Sequence, residues 1–206
     1  MIVLTLPVGM LEANCYVAAA DGSDEAVAID PGGDADVIVA AAQARGLRIT
    51  HILDTHGHPD HTAGNCDLRI ATGARLYIHE GDRGMIEGSG REWALTGLVH
   101  VPCEADATLS DGEELQVGGL TLRVVHTPGH TPGGCCFAVE DALFTGDTLF
   151  AGSVGRTDFP GGDMPTLEAS LARIVELFPD ETALYPGHGE ATTLGEEKAT
   201  NPWLVG

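Results

Sequence analysis

The chain has 206 residues, 43% of them hydrophobic, with a formal net charge of −21. That is enough apolar material for one large domain core. So acidic a surface, with ten basic residues of which Lys198 is the single lysine, repels phosphate backbones and excludes nucleic acid as an expected partner. Residues 1–7 carry no basic segment leading into an apolar run, and no stretch is long enough to span a bilayer. A cytoplasmic protein with no membrane partner is therefore expected.

Short β-like runs open the chain at 2–6, 15–20 and 26–30, with Asp21-Gly22 as a turn and Pro31-Gly32-Gly33 as a stop. Asp34 is placed to cap a helix over 35–45, which Gly46 ends. A strand over 49–54 then runs into Thr55-His56-Gly57-His58-Pro59-Asp60-His61. Gly57 and Pro59 favour a turn over a helix here, so the polar side chains can converge at one strand end. Further strands are expected at 75–79, 120–126, 135–139 and 142–145, with Gly118-Gly119 as a turn. Pro165 suits a first helical turn, and Leu167, Leu171, Ile174, Val175 and Phe178 recur at helical spacing until Pro179 closes the segment. A last helix is expected over 194–200. The mixture reads as α/β, with hairpin-like pairs rather than strict βαβ alternation.

Cys15, Cys66, Cys103, Cys135 and Cys136 are odd in number and irregularly spaced, and no Cys-x-x-Cys occurs. Free thiols are expected, rather than a disulfide framework or a cysteine zinc site.

The chemistry concentrates in Gly-rich loops at strand ends. Three His and one Asp fall within residues 56–61. Neutral imidazole and carboxylate are ligands for Zn²⁺ and Fe²⁺, and so many imidazoles together have little structural use. Three later segments each place one more candidate in a similar loop: His130 in Thr127-Pro128-Gly129-His130, Asp147 in Thr145-Gly146-Asp147, and His188 in Tyr185-Pro186-Gly187-His188. Seven ligands exceed what one ion can use while leaving room for substrate, and suit two metals sharing a carboxylate. His51, His79, His100 and His126 fall outside these motifs and are expected to be structural or surface residues.

His-x-His-x-Asp-His, Pro-Gly-His, Gly-Asp and Pro-Gly-His, in this order, resemble the metallo-β-lactamase superfamily over essentially the whole chain. The resemblance implies a single domain over 1–206 with a four-layer αββα sandwich, and two divalent metal ions at one edge between two sheets. By that resemblance His56, His58 and His130 hold one ion, Asp60, His61 and His188 hold the other, and Asp147 bridges them. Zinc is the expected metal, and iron or manganese also suits the nitrogen–oxygen set. Asp30, in Ile29-Asp30-Pro31-Gly32, resembles the family's carboxylate that orients a metal-bound His; the alternative is a strand-end turn former.

Within the superfamily, Asp147 in the bridging position departs from the β-lactamases proper. His58 departs from the flavodiiron branch, which has Glu there. The chain is similar instead to short members of the glyoxalase II (hydroxyacylglutathione hydrolase) group. That similarity rests on the His-rich motif together with Thr-Pro-Gly-His-Thr-Pro-Gly, Gly-Asp-Thr-Leu-Phe, Gly155-Arg156-Thr157-Asp158-Phe159 and Tyr-Pro-Gly-His-Gly. It implies cleavage of a small-molecule thioester by a metal-bridging hydroxide, with Asp60 as the catalytic proton acceptor. Arg156 stands where longer members place groups for glutathione. It has two readings, a substrate-carboxylate site or an ion pair with Asp158 or Asp163. The alternative activity is that of a persulfide dioxygenase with one Fe²⁺ on His56, His130 and Asp147. Nothing in the sequence specifies an oligomeric state.

Overall fold

The computed structural model describes residues 1–93 and 97–205, apart from the side chain of Glu92. β1 (Ile2–Val8), β2 (Ala13–Ala19) and β3 (Glu25–Ile29) pair antiparallel in sequence. The chain then crosses over through α1 (Ala35–Ala44) to β4 (Arg48–Leu53), parallel to β3. After α2 (Pro59–Thr62) and α3 (Asn65–Thr72) come β5 (Arg75–His79), α4 (Glu80–Glu87) and β6 (Ala107–Leu109), which extend the same sheet in parallel. Its strand order is β1-β2-β3-β4-β5-β6.

The second sheet holds β7 (Glu114–Val117), β8 (Leu120–His126), β9 (Cys135–Val139) and β10 (Ala142–Gly146) in an antiparallel meander. A two-stranded ribbon follows, β11 (Leu149–Phe150) with β12 (Ser153–Val154), and then α5 (Met164–Leu177). β13 (Ala183–Pro186) returns parallel to β10, β14 (Thr192–Thr193) closes the edge, and α6 (Leu194–Thr200) ends the described fold.

Three apolar clusters define four layers. Val27, Ile29, Leu53, Val124, Phe137 and Phe144 pack between the two sheets. Ile38, Ile52, Leu68, Ile78 and Ile86 pack the first sheet against α1, α3 and α4. Leu143, Leu167, Leu171, Ile174 and Leu194 pack the second sheet against α5 and α6. The result is an αββα sandwich. Strands covered on both faces, such as Cys135–Val139, are buried throughout. Glu114–Val117 has one wet face and alternates exposed and buried residues. Each large side chain sealed between layers contributes about 1.5–3 kcal/mol relative to exposure.

Several expectations need correction. Asp34 does not cap α1 with its side chain: its backbone is left-handed, and its carboxylate instead accepts the amide of Gly9 at 2.8 Å. The segment after His58 is not only a turn. Pro59 begins a one-turn helix, where its missing N–H costs nothing. Cys66 and Cys103 form a disulfide, with Cα atoms 5.6 Å apart. A spacing of 37 residues cannot show that α3 and the 97–106 segment come together in space. Cys15, Cys135 and Cys136 are free, buried thiols as expected. Among the described residues, no helix is long and apolar enough to cross a membrane.

Candidate metal centre

All seven predicted ligands meet at one edge of the sandwich, on loops that leave strand ends. His56 and His58 follow β4, Asp60 and His61 lie on α2, His130 follows β8, Asp147 follows β10, and His188 follows β13. Two triads bring one ligand atom each within 4.8 Å of one another: His56–His58–His130 and Asp60–His61–His188. Asp147 lies between them, with carboxylate oxygens 3.3 Å from His61 Nε2, 3.5 Å from His130 Nε2 and 3.9 Å from His188 Nε2.

The donor set fits two divalent cations. His130 Nε2 faces His58 Nδ1 at 2.9 Å, and His61 Nε2 faces His188 Nε2 at 3.3 Å. Ring nitrogens brought together like this need a proton or a cation between them. Among the described residues, His56 Nε2 and His58 Nε2 are buried with no hydrogen-bond partner, which costs about 1–3 kcal/mol per neutral group unless something else fills the role.

The far nitrogens of the rings are held by the protein. His130 Nδ1 donates to the backbone carbonyl of Arg156 at 2.6 Å, which leaves Nε2 as a lone pair towards the centre. His61 Nδ1 lies 3.1 Å from Asp30 Oδ2. Asp30 also accepts the Thr55 amide at 2.7 Å and the Thr55 hydroxyl at 2.6 Å. A third triad, Asp30–His56–His61, also satisfies the 4.8 Å test. Its carboxylate is already occupied by these donors, so Asp30 orients His61 rather than offering a free ligand oxygen.

Two glycines set how closely the loops approach. A Cβ on Gly32 would fall 1.6 Å from the carbonyl oxygen of Asp60, and one on Gly187 would fall 2.3 Å from Asp147 Oδ1.

Burial and charge divide the centre. Burial, followed by neighbouring imidazole charge, holds His56 far below the usual imidazole range and His58 down to about 3. Burial also opposes charge on His61, yet the carboxylates of Asp147, Asp30 and Asp60 outweigh it and raise His61 well above that range. Burial works against charge on Asp60 and Asp147 too. The hydrogen bond from His188 and the charge of His61 keep Asp60 below its ordinary value, and His61 holds Asp147 well below its own.

Some positioning residues escaped sequence reasoning. Asp82, fully buried on α4, accepts the Gly57 amide at 2.9 Å, the Thr131 hydroxyl at 2.6 Å and the Gly133 amide at 2.6 Å. It ties the His56–His58 loop to the His130 loop. Asn14 and Tyr16 do the same for the His188 loop. Asn14 Nδ2 donates to the carbonyls of Pro186 and Gly189, and the Tyr16 hydroxyl donates to Pro186 at 2.6 Å. Arg156 makes an ion pair with Asp158 through Nε and a further bond through Nη2, both at 2.6 Å, and its guanidinium sits 3.9 Å over the Phe159 ring. The ion-pair reading therefore describes its side chain, although Arg156 also lines the cleft above the centre. None of the other His residues joins the cluster. His51 stacks on Tyr77, His100 bonds the Gly88 carbonyl, and His79 stacks on His126.

Comparison with known proteins agrees with this geometry. A chain described as hydroxyacylglutathione hydrolase GloC, from Haemophilus influenzae, is 35% identical over 97% of this chain and 96% of its own length. Three solved structures align closely. BLEG-1, described as a B3 metallo-beta-lactamase, has a TM-score of 0.91 at 35% identity and covers 100% of both chains. TTHA1623, solved in a di-iron-bound form, has a TM-score of 0.87 at 38% identity over 98% of this chain and 100% of its own. ETHE1 from Myxococcus xanthus has a TM-score of 0.83 at 32% identity over 98% and 84%. The model of the metallo-beta-lactamase superfamily matches residues 8–188, and the chain belongs to that superfamily.

Proposed function

We propose that the protein is a binuclear metal-dependent hydrolase that cleaves a thioester of the hydroxyacylglutathione type. One observation carries the reading: two ligand triads, each closed within 4.8 Å, are joined by a single carboxylate, Asp147. His56, His58 and His130 would hold one cation, Asp60, His61 and His188 the other, and Asp147 both. Zinc is the metal proposed, and iron or manganese suits the same donors. When bound, such cations supply Lewis acidity, lowering the pKa of water and polarising a carbonyl oxygen.

The chain's own residues divide the remaining work. Asp60 is ionised at neutral pH and would accept the proton taken from water. Asp30 and the Arg156 carbonyl keep the His61 and His130 rings from turning. Phe150, Val154 and Phe159 give the cleft over the ligands an apolar wall. Hydrolysis then yields a carboxylic acid and a thiol. A thiol with an ordinary pKa of about 8.5 leaves without a dedicated acid, so the reaction needs no Ser–His pair. The likeness to GloC supports this reading.

A second reading is a mononuclear-iron persulfide dioxygenase using His56, His130 and Asp147. The likeness to ETHE1 favours it. The likeness to BLEG-1 adds a β-lactam to the substrates worth testing, whatever the bridging Asp147 implies. The deciding experiment couples elemental analysis of purified protein to three assays: S-lactoylglutathione with a thiol reagent, glutathione persulfide with an oxygen electrode, and a β-lactam. The expected result is two metal equivalents and thiol release without oxygen uptake. One iron per chain with oxygen consumption would replace the first reading by the second.

A further inference from the structure

The cleft above the centre has two lobes that share Leu11, Asp60 and Leu98. The first, about 500 Å³, runs over the ligands towards Phe150, Arg156 and Phe159. The second, about 290 Å³, runs away between the β1–β2 turn and the 98–101 segment, past Met10, Val99 and Val101. A thioester also has two arms that diverge from its carbonyl.

The second lobe is apolar in an unusual way. Of the nine large apolar residues exposed among the described ones, four line it: Met10 (71% exposed), Leu11 (50%), Val99 (63%) and Val101 (38%). Scattered exposed apolar residues need no explanation, but clustering beside a reactive centre does. Both walls are held from behind. Positive φ angles at Gly9 and Glu12, with the Gly9 amide on Asp34, fix the turn that presents Met10 and Leu11 outward. The Cys66–Cys103 disulfide and the Cys103 amide on the Ile86 carbonyl anchor the other wall. The apolar surface is thus preformed rather than a fold that failed to close.

Charge separates the arms. Among the described residues the second lobe is lined by Asp60 and Asp67 and by no Lys or Arg, so it disfavours an anionic group. The first lobe holds Arg156. We propose, resting on the thioester-hydrolase reading, that the second lobe binds the acyl arm of the substrate and takes acyl groups that continue beyond the first carbons as an apolar chain. The polar thiol arm lies in the first lobe.

The test uses N-acetylcysteamine thioesters of acetic, butanoic, hexanoic and octanoic acid, with the metal-loaded chain. In parallel, calorimetry measures binding of the matching ketones, in which CH₂ replaces sulfur. The expected result is that kcat/KM and ketone affinity both rise about twofold per methylene, for a groove that covers the chain on one side. Met10→Ser with Val99→Ser should flatten both slopes. Ile70→Ser, at a still more exposed apolar residue on α3 that lines neither lobe, should leave them as they were. Thioester turnover with no dependence on chain length in either measurement would overturn the proposal and leave the hydrolase reading standing. Ketone affinity that rises with length while neither these thioesters nor S-lactoylglutathione is cleaved would support the apolar groove and overturn the hydrolase reading. If neither appears, both fall.

Discussion

Of the two triads that Asp147 joins, His56–His58–His130 is made only of imidazoles and is at most 4% exposed, whereas Asp60–His61–His188 contains a carboxylate and opens to solvent through His188. The first is held by backbone and hydroxyl partners and by the Asp82 clamp. The second is held by charge, with His61 set among Asp30, Asp60 and Asp147. Burial, followed by the charge of neighbouring imidazoles, keeps His56 and His58 deprotonated. The second triad must give up the proton that its carboxylates hold on His61. On the proposed binuclear reading, the first half would retain its metal, and the second would exchange one or meet substrate. Metal uptake by the second half should release the proton that His61 carries near neutral pH.

The largest expected effect comes from removing what the halves share. Asp147→Ala should weaken both metal equivalents and lower kcat/KM by on the order of 10³-fold, the scale of losing a preorganised electrostatic stabiliser. Loss of only one equivalent, with the second bound as in the parent, would show that Asp147 belongs to one half alone.

Two second-rank substitutions should separate the halves. Asp82→Ala leaves the Gly57, Thr131 and Gly133 donors buried without an acceptor. Stability should fall by about 3 kcal/mol, and metal affinity of the His56–His58–His130 half by roughly 10–100-fold. Asp30→Asn should act on the other half, weakening the equivalent bound through His61 by about tenfold. Competition against a chromophoric chelator resolves the two constants. Equal weakening of both equivalents in both variants would erase the distinction.

The two halves also differ in how much of them could be read before folding. The ligands were legible because each sits in a short local motif after an apolar run, and order along the chain carried the rest. Asp30 was legible only through its likeness to the family's carboxylate beside a metal-bound His. Asp82 was not: in Glu80-Gly81-Asp82-Arg83 nothing separates it from a solvent-facing acid. Its partners lie 25, 49 and 51 residues away. Asn14 and Tyr16 reach still further, to Pro186. Strands 75–79, 120–126 and 135–139 were read with their observed bounds, as was the helix over 194–200. The short strands Ala107–Leu109 and Leu149–Phe150 offered too few residues for a period to show. Asp34 looked like a cap because residue type alone suggests one, but its φ of 48° turns the carboxylate away from the helix.

Arg156 tests where the first lobe ends and the His130 support begins. Its carbonyl holds the His130 ring and survives any side-chain change. Its guanidinium is exposed and already paired with Asp158. Arg156→Ala should therefore keep the metal content and kcat, and raise KM for a glutathione thioester by about threefold. A fall in metal content would show instead that the side chain, not only the backbone, supports the imidazole half.

The smallest effect lies behind the first triad, at His79 and His126. Their rings stack at 4.1 Å with an interplanar angle of 9°. His79 Nδ1 accepts the Gly81 amide at the start of α4, and His126 Nε2 donates to the Pro132 carbonyl beside the His130 loop. Burial first, and then the charge of His126, lower the His79 pKa, against the opposing pull of Asp82, Asp111 and Glu80. In the unfolded chain His79 titrates near 6.5. Between that value and the lowered one, the unfolded state takes up a proton that the folded state refuses, so this contribution to stability is lost as pH falls below about 6.5. His79→Asn keeps a side chain able to cap α4 and removes the titration. Melting temperature followed from about pH 7.5 to pH 5 should fall more steeply in the parent than in the variant. The difference between the two curves should be the same with and without metal, because His79 touches no ligand. Parallel curves would mean that His79 takes its proton as readily in the fold as outside it, and that the stacked pair does not sense pH.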